Sequence, residues 1–269
     1  MKRLPIILLF IFSGCMTLDG NLFNAQTLTS YDLRTTVIPD SMRTQVTMTS
    51  SGKKIYGYFI QSRGEHPSYT ILYNHGNKDH LQYYWDRAEY LYRTGCNVFI
   101  YDYEGFGMSE GTPSEVNFYS DANAALNYLR SRKDVDSTKI IFYGFSLGCA
   151  AATELAAHSF TPKKLILEAP FANMDALVRS GTVLDIPSGY VMKGTYDNAE
   201  KIKRNHAPLL LIHGEGDTFI DLTKNGAVVF ANANDPKEFI RVPNANHSEI
   251  PDKMGTQNYI DTIRNFILR

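Results

Sequence analysis

Two segments of the chain have the pattern glycine, x, serine, x, glycine, which can mount a nucleophilic serine on a sharp turn. Residues 107–111 read GMSEG and residues 144–148 read GFSLG. A working turn needs a strand that enters the serine and a helix that leaves it, so that Oγ projects above the sheet. Ser146 meets this requirement, because the strand-like IIFYG precedes it and the helix-like LGCAAATELAAH follows. Ser109 is separated from its strand by residues 103–108, so we predict that GMSEG is a glycine-rich loop and that Ser146 is the nucleophile.

An acid and a base are expected later in the chain, each on a loop at the carboxyl end of a strand. The segment LLLIHG is followed by Asp217, and EFIRVP is followed by NANH, which ends at His247. We predict that His247 takes the proton of Ser146 and that Asp217 holds the imidazole in the required tautomer. Asp221 stays open as the acid, although it lies farther from the strand end. The other six of the seven histidines fall in loops, at helix ends or in turns.

The charged oxygen of an acyl-transfer intermediate needs two converging backbone donors. We expect one from the N–H of Leu147, which opens the helix after the nucleophile. The other is expected from Asn77, in the loop YNHGN after the strand-like residues 69–73. Cysteine and histidine do not occur at metal-ligand spacing, and no phosphate-binding glycine loop opens a helix, so neither a metal nor a cofactor is expected.

Alternating strand-like and helix-like segments must position these residues. Continuous apolar segments, which predict parallel strands covered on both faces, are residues 69–73, 97–101, 139–143, 164–167, 209–212 and 238–242. Helical patterns occupy residues 79–94, 115–132, 147–158 and 253–268. Residues 45–49 and 54–61 predict an antiparallel hairpin, and Thr112 is expected to cap the helix that begins at Glu115. The order indicates an α/β protein with a mostly parallel, doubly wound sheet.

Several motifs together resemble the α/β-hydrolase superfamily. They are YNHGN, YDYEGFGMSEG, GFSLG, LEAPF, HGEGD and NANH, in the order that this superfamily uses, and the resemblance runs from about residue 49 to the C-terminus. The chain is most similar to small abhydrolase-type depalmitoylases and to bacterial esterase-like or serine-aminopeptidase-like proteins. The resemblance implies the α/β-hydrolase fold, a serine esterase mechanism, and the roles given above to Ser146, Asp217, His247, Leu147 and Asn77. Leu222 stands where such proteins often have proline.

The N-terminus has the features of a bacterial export signal. The basic MKR is followed by nine apolar or proline residues, too few to span a bilayer, and then by Ser13, Gly14 and Cys15. This ending resembles a lipoprotein lipobox, so we predict lipidation at Cys15 and an exported, membrane-anchored protein of the cell envelope. An ordinary signal with an incidental cysteine is the alternative. We therefore divide the chain into a signal over residues 1–15, a tether over 16–43 and a hydrolase domain over 44–269.

The segment between the LEAPF strand and the strand near residue 209 is short for a cap domain, so a small lid is expected over about residues 170–206. The apolar side chains expected around the site mouth, where they would bind an acyl group, are Phe106, Met108, Phe145, Phe171 and Met174. The alternative is that they only pack the lid onto the sheet. Cys96 and Cys149 are expected at opposite ends of the sheet and therefore unpaired.

Three functions follow from these features. The leading one is a membrane-anchored serine hydrolase that cleaves carboxylic esters or thioesters, including lipid acyl esters, through an acyl-enzyme. A serine peptidase of the same fold and a non-catalytic binding lipoprotein are the alternatives. With 27 basic and 28 acidic residues and no long basic segment, the chain gives no indication of nucleic-acid binding.

Overall fold

In the computed structural model, which describes residues 23–35, 37–180 and 195–269, helices cover both faces of a central sheet. The strands are, in chain order, β1 (Asn24–Ala25), β2 (Arg43–Ser50), β3 (Lys53–Ile60), β4 (Thr70–Asn74), β5 (Lys78–Asp79), β6 (Asn97–Tyr101), β7 (Ile140–Phe145), β8 (Lys164–Glu168), β9 (Leu209–Gly214) and β10 (Lys237–Val242). The helices are α1 (Trp85–Tyr92), α2 (Glu115–Ser131), α3 (Gly148–Glu154), α4 (Met174–Ser180), α5 (Asn198–Lys201), α6 (Gly226–Asn232), α7 (Ile250–Met254) and α8 (Thr256–Leu268).

The eight-stranded sheet has the order β10-β9-β8-β7-β4-β6-β3-β2 within the described residues. The β2–β3 hairpin is antiparallel and pairs with β6, whereas the pairs from β6 through β10 are parallel. Every residue of β4, β6, β7, β8 and β9 is buried, which explains their continuous apolar sequences. The predicted α/β architecture, with a mostly parallel sheet and an N-terminal hairpin, is confirmed.

Alternate residues of each strand serve two cores. Leu72 of β4 packs on the face covered by α2 and α3, and its neighbour Ile71 packs on the face covered by α1 and α8. Each fully buried aliphatic or aromatic side chain stabilises the fold by roughly 1.5–3 kcal/mol. Parallel strands that are buried on both faces place their carboxyl ends at one edge, where the loops after β4, β7, β9 and β10 meet.

The segment before the hairpin is not a tether in the described ranges, and the prediction for residues 16–43 is wrong there. Phe23, Ile38 and Met42 are buried in the two cores. β1 pairs in parallel with β5, and Thr27 forms a bridge with Gly107. Sequence reasoning missed this packing because the segment is polar, has no period, and makes its contacts with residues more than fifty positions away.

Helix boundaries differ from the predictions where local backbone geometry intervenes. The pattern over residues 79–94 contains β5, a 3₁₀ turn at Leu81–Tyr84 and α1, because Asp79 has a left-handed φ of 54°. Ser114, not Thr112, caps α2, and its Oγ accepts the N–H of Asn117 at 3.2 Å. The last helix is divided into α7 and α8 at Gly255, where φ is 78°.

The predicted lid region contains two short helices, and both cysteines of the hydrolase domain are buried. In the lid region of residues 170–206, α4 and α5 are described, whereas residues 181–194 lie outside the described ranges. Neither helix was predicted, because seven-residue and four-residue helices are too short to show a period. Cys96 and Cys149 are free and buried, which confirms that they do not pair.

Candidate active site

Ser146 lies on a strained turn between β7 and α3. Its φ is 53°, in the left-handed region that non-glycine residues seldom occupy, and its N–H donates to the Glu168 carbonyl at 2.9 Å. A Cβ at position 144 would lie 2.6 Å from the Cα of Cys149, and one at position 148 would lie 1.9 Å from the Asn74 carbonyl oxygen. The two glycines of GFSLG are therefore required by close backbone contacts, and they let the strand, turn and helix stack tightly under the serine.

Three side chains from three loops meet at this turn. The Nδ1–H of His247 donates to Asp217 Oδ2 at 2.8 Å, which leaves Nε2 as the acceptor of the Ser146 hydroxyl at 2.9 Å. Ser146 follows β7, Asp217 follows β9 and His247 follows β10, so parallel strands bring together residues 30 to 101 positions apart. The geometry is that of a serine activated by an imidazole whose tautomer is fixed by a carboxylate.

Asp217 is held as a carboxylate. Burial alone would raise the pKa of Asp217, but hydrogen bonds from His213 and His247 and from the Ile220 N–H outweigh burial and hold that pKa well below its usual value. Its Oδ1 accepts the N–H groups of Phe219 and Ile220 at 2.9 and 2.7 Å, whereas Oδ2 faces Nδ1 of His247 at 2.8 Å and Nε2 of His213 at 3.4 Å. The carboxylate can therefore stabilise an imidazolium without taking its proton.

The ring of His247 is enclosed by two aromatic side chains. Its centroid lies 5.3 Å from that of Phe145 and 5.1 Å from that of Phe219. Asn246 joins the acid and base loops, since its Oδ1 accepts the N–H groups of Thr218 at 3.1 Å and of His247 at 2.8 Å. Sequence reasoning missed Phe219 and the role of Asn246, although Asn246 stands inside the NANH motif.

The two expected oxyanion donors lie on adjoining segments. Leu147 directly follows Ser146 and begins the turn into α3. The loop that continues from β4 to Asn77 crosses this turn, because a Cβ at position 76 would lie 3.2 Å from the Phe145 ring. The Oδ1 of Asn77 accepts the N–H of Asn24, so the N-terminal segment contacts this loop directly.

A buried ionic group contains Glu168, whose backbone carbonyl accepts the N–H of Ser146. Glu168 Oε1 accepts from Arg87 at 2.7 Å, and Glu168 Oε2 accepts from the Tyr259 hydroxyl at 2.6 Å. The guanidinium carbon of Arg87 lies 3.9 Å from the centroid of the Phe145 ring, and this ring in turn flanks His247. Glu168 belongs to the LEAPF motif, but no spacing in the sequence indicated its partner Arg87.

The competing serine and acid lie elsewhere. Ser109 is buried, and its hydroxyl donates to the Asp102 carbonyl at 2.9 Å while accepting the Tyr56 N–H at 3.0 Å. Asp221 Oδ1 accepts the N–H of Lys224 at 2.8 Å and so caps a turn outside the triad. GMSEG is therefore a structural loop.

Four of the five side chains expected at an open mouth lie in the interior, which corrects that prediction. They are Phe106, Phe145, Phe171 and Met174, which are 0, 3, 1 and 5% exposed. The ring of Phe23, from the segment treated as a tether, packs against Phe106 with a centroid distance of 6.1 Å. Met108 is partly exposed, with its Sδ 3.9 Å from the amide nitrogen of Gln45. The aromatic rings are packed in the two hydrophobic cores, and for this reason they do not line an open mouth.

Two remaining predictions concern groups beyond the triad. Cys15, the expected lipidation residue, lies outside the described residues. No helix within the described ranges has the length and apolar character needed to cross a bilayer. Among the residues that the structure describes, no cluster of three or more histidine, cysteine, aspartate or glutamate side chains is placed to hold a metal ion.

Known proteins match both the sequence and the fold. The chain is 32% identical over 237 residues to alpha/beta hydrolase domain-containing protein 17B of Xenopus tropicalis, a match that covers 85% of this chain and 76% of that protein. It is 30% identical over 224 residues to the uncharacterized protein YfhR of Escherichia coli K12, with 81% and 77% covered. The family model described as serine aminopeptidase, S33 matches residues 65–189.

Solved structures share the architecture at lower identity. An esterase of Pyrococcus furiosus superposes with a TM-score of 0.74 at 18% identity over 93% of this chain and 97% of that one. An alpha-beta hydrolase from Vibrio vulnificus gives a TM-score of 0.69 at 22% identity over 84% and 82%. These structures support the fold, and the sequence relatives support common descent. The chain therefore belongs to the α/β-hydrolase family.

Proposed function

We propose that the protein hydrolyses carboxylic esters or thioesters through an acyl-enzyme. The observation that carries the proposal is the continuous contact from Ser146 Oγ through the His247 imidazole to the Asp217 carboxylate. Ser146 Oγ attacks the acyl carbon while His247 Nε2 takes the hydroxyl proton. The carbonyl oxygen becomes an oxyanion that the N–H groups of Leu147 and Asn77 stabilise.

The second half of the reaction repeats the same steps with water. The tetrahedral intermediate collapses, the bond to the alcohol or thiol breaks, and the leaving group takes the proton from His247. Water then loses a proton to His247 Nε2 and attacks the acyl carbon, and the acid product leaves as Ser146 regains its proton. Asp217, held as a carboxylate by its hydrogen bonds, stabilises the imidazolium in both halves.

Peptide hydrolysis is the second candidate, and the description of the matching family model favours it. An amine leaving group is poorer than an alkoxide or thiolate, so His247 would have to protonate it before the C–N bond breaks. Ester cleavage demands less of the same residues. The partly exposed apolar ring of Phe219 beside His247 also favours an acyl substrate over a charged peptide terminus.

A substrate comparison separates the two. The protein lacking its first fifteen residues is assayed with p-nitrophenyl esters of graded acyl length and with aminoacyl p-nitroanilides. We expect kcat/KM to be at least about a hundredfold higher for the best ester, which is the scale of differential transition-state binding. Equal or faster anilide cleavage would establish the peptidase. Absence of both turnover and fluorophosphonate labelling, with the Ser146→Ala variant as the blank, would favour a binding protein.

We further propose that the enzyme is exported and attached to a membrane through a lipidated Cys15. The support is the N-terminal sequence, in which a basic start and a short apolar segment lead to Ser-Gly-Cys. A single acyl chain anchors a protein only marginally, so stable attachment needs the several chains of a bacterial lipoprotein. The Cys15→Ser variant should move from the membrane fraction to the soluble fraction, while Cys96→Ala should not. Unchanged partition of Cys15→Ser would refute the anchor.

A further inference from the structure

Residues 23–31, here called the strap, cross the loop that carries the second oxyanion donor. One backbone hydrogen bond joins the strap to this loop, from Gln26 N–H to Asp79 O at 2.9 Å, and two join the strap to the GMSEG loop, from Leu28 N–H to Gly107 O at 2.7 Å and from Gly107 N–H to Gln26 O at 2.8 Å. The N–H of Asn24 donates to the side chain of Asn77 at 3.1 Å. The strap is therefore joined to the catalytic edge of the sheet at several points.

The far end of the strap reaches a buried carboxylate. The hydroxyl of Tyr31 donates to Asp102 Oδ2 at 2.5 Å and accepts the N–H of Met108 at 3.2 Å. Burial, together with the negative charge of Asp102, raises the pKa of Tyr31 far above its usual value. The Tyr31 hydroxyl is therefore held in its neutral, donating form beside Asp102.

Asp102 connects Tyr31 to the loop through the ring of His75. Its Oδ1 lies 3.1 Å from Nε2 of His75, and Nδ1–H of His75 donates to the carbonyl of Gly76 at 2.8 Å. Both ring nitrogens of His75 therefore lie at hydrogen-bond distance from acceptor oxygens. The side chains of His75 and Asp102 are both fully buried, so water does not compete for these contacts.

The carbonyl that His75 binds belongs to the same peptide unit as the N–H of Asn77. That unit is trans and planar, so its C=O and N–H point in opposite directions. Fixing the Gly76 carbonyl on one side therefore fixes the direction of the Asn77 N–H on the other. The strap holds this peptide twice, through the Asn77 side chain and through Tyr31, Asp102 and His75.

We propose that Tyr31 is a positioning residue, which acts through Asp102 and His75 to keep the Gly76–Asn77 peptide aimed at the oxyanion. The strap is then a working part of the catalytic site. The proposal rests on the proposed function, because it assigns the Asn77 N–H to the oxyanion of that reaction. A positioning role affects the transition state more than ground-state binding, and this difference is measurable.

The test compares Tyr31→Phe with Tyr58→Phe. Tyr58 is the matched control, since its ring lies 5.7 Å from that of Tyr31 and its hydroxyl donates to Gln45 Oε1 at 3.2 Å. Measured quantities are kcat and KM for a p-nitrophenyl ester, and Ki for a trifluoromethyl ketone that adds to the serine as an oxyanion. We expect Tyr31→Phe to lower kcat and raise Ki, each on the order of tenfold, since complete loss of one oxyanion donor costs about 10²–10³ in kcat. KM should stay within about twofold, and Tyr58→Phe should leave all three constants within about twofold.

A second pair of variants tests the strap without touching Asp102. Asn24 has an exposed side chain, so Asn24→Pro removes chiefly the N–H that binds Asn77, while Asn24→Ala keeps it. Asn24→Pro should repeat the combined fall in kcat and rise in Ki, and Asn24→Ala should not. Two results would overturn the proposal. One is wild-type kinetics in both Tyr31→Phe and Asn24→Pro, and the other is a change in KM as large as the change in kcat in both variants. A wild-type protein without ester turnover or ketone inhibition would instead refute the proposed function itself.

Discussion

Two sets of serine, histidine and aspartate lie at the same edge of the sheet, and only one has the connectivity of a catalytic triad. In the first, the Ser146 hydroxyl faces the imidazole of His247, which faces Asp217. In the second, the hydroxyl of Ser109 faces the backbone carbonyl of Asp102, and the side chain of Asp102 pairs with His75. The same residue types therefore serve two purposes.

The two imidazoles differ in whether a ring nitrogen can accept a proton from a hydroxyl. Nε2 of His247 is free to take a proton, and 16% of its side chain is exposed. Both nitrogens of His75 are occupied by acceptors, and its side chain is fully buried. A histidine near a serine and an aspartate becomes a base only when one nitrogen faces the hydroxyl and substrate can reach it.

The largest expected effect comes from removing each serine in turn. Ser146→Ala should lower ester turnover by about 10⁴–10⁶-fold and abolish fluorophosphonate labelling, because no other hydroxyl faces an accepting imidazole among the residues described. Ser109→Ala should keep labelling and turnover within a few-fold of wild type at a temperature where it is folded. Labelling that persists in Ser146→Ala would show that Ser146 is not the nucleophile.

A somewhat smaller loss is expected when the acid is changed to its amide. In Asp217→Asn, the carbonyl oxygen must still accept from the N–H groups of Phe219 and Ile220, so the amide nitrogen faces His247. The imidazole would then carry its proton on Nε2 and could not accept from Ser146, which should lower kcat on the order of 10³–10⁴-fold. Asp221→Asn, which keeps an acceptor for Lys224, should remain within about threefold. A reversed ranking of the two variants would move the acid to position 221.

The smallest expected effect is on the free energy of unfolding. Here Ser109→Ala should have a larger effect than Ser146→Ala, the reverse of their effects on turnover. Ser109→Ala leaves the Tyr56 N–H and the Asp102 carbonyl without their partner, at a cost of about 1–3 kcal/mol in the free energy of unfolding. Ser146→Ala should be neutral or slightly stabilising, since catalytic groups are seldom optimised for stability. Urea unfolding of both variants measures the difference. An unchanged free energy of unfolding in Ser109→Ala would mean that Ser109 has no structural role.

The triad could be predicted from the sequence because its determinants are local. A continuous apolar strand, a glycine on either side of Ser146 and an alanine-rich helix define the turn, and strand ends define where Asp217 and His247 fall. The fold followed from the same alternation of strands and helices. Each of these signals lies within about fifteen residues of the side chain that it positions.

The strap and the burial of the side chains expected at the site mouth could not be predicted, because the contacts involved are distant in sequence. Tyr31 meets Asp102 across 71 residues through a single hydroxyl, which leaves no periodic pattern. Phe23 packs with Phe106 and Phe118, which are distant from it in the sequence. The aromatic side chains expected at an open mouth lie near the catalytic motifs in the sequence, but this does not show which of them other segments cover.

The position of Phe23 has a consequence for the space in which the enzyme would search for substrate. It follows the proposed anchor, Cys15, by eight residues. A fully extended chain covers at most about 3.6 Å per residue, so a lipidated Cys15 would keep Phe23 within roughly 29 Å of the bilayer surface. Since the next residue, Asn24, binds Asn77, the catalytic edge of the sheet would be confined to the same thin layer. Esters embedded in that membrane would reach the serine at a high effective concentration, whereas dissolved substrates would gain nothing from the confinement.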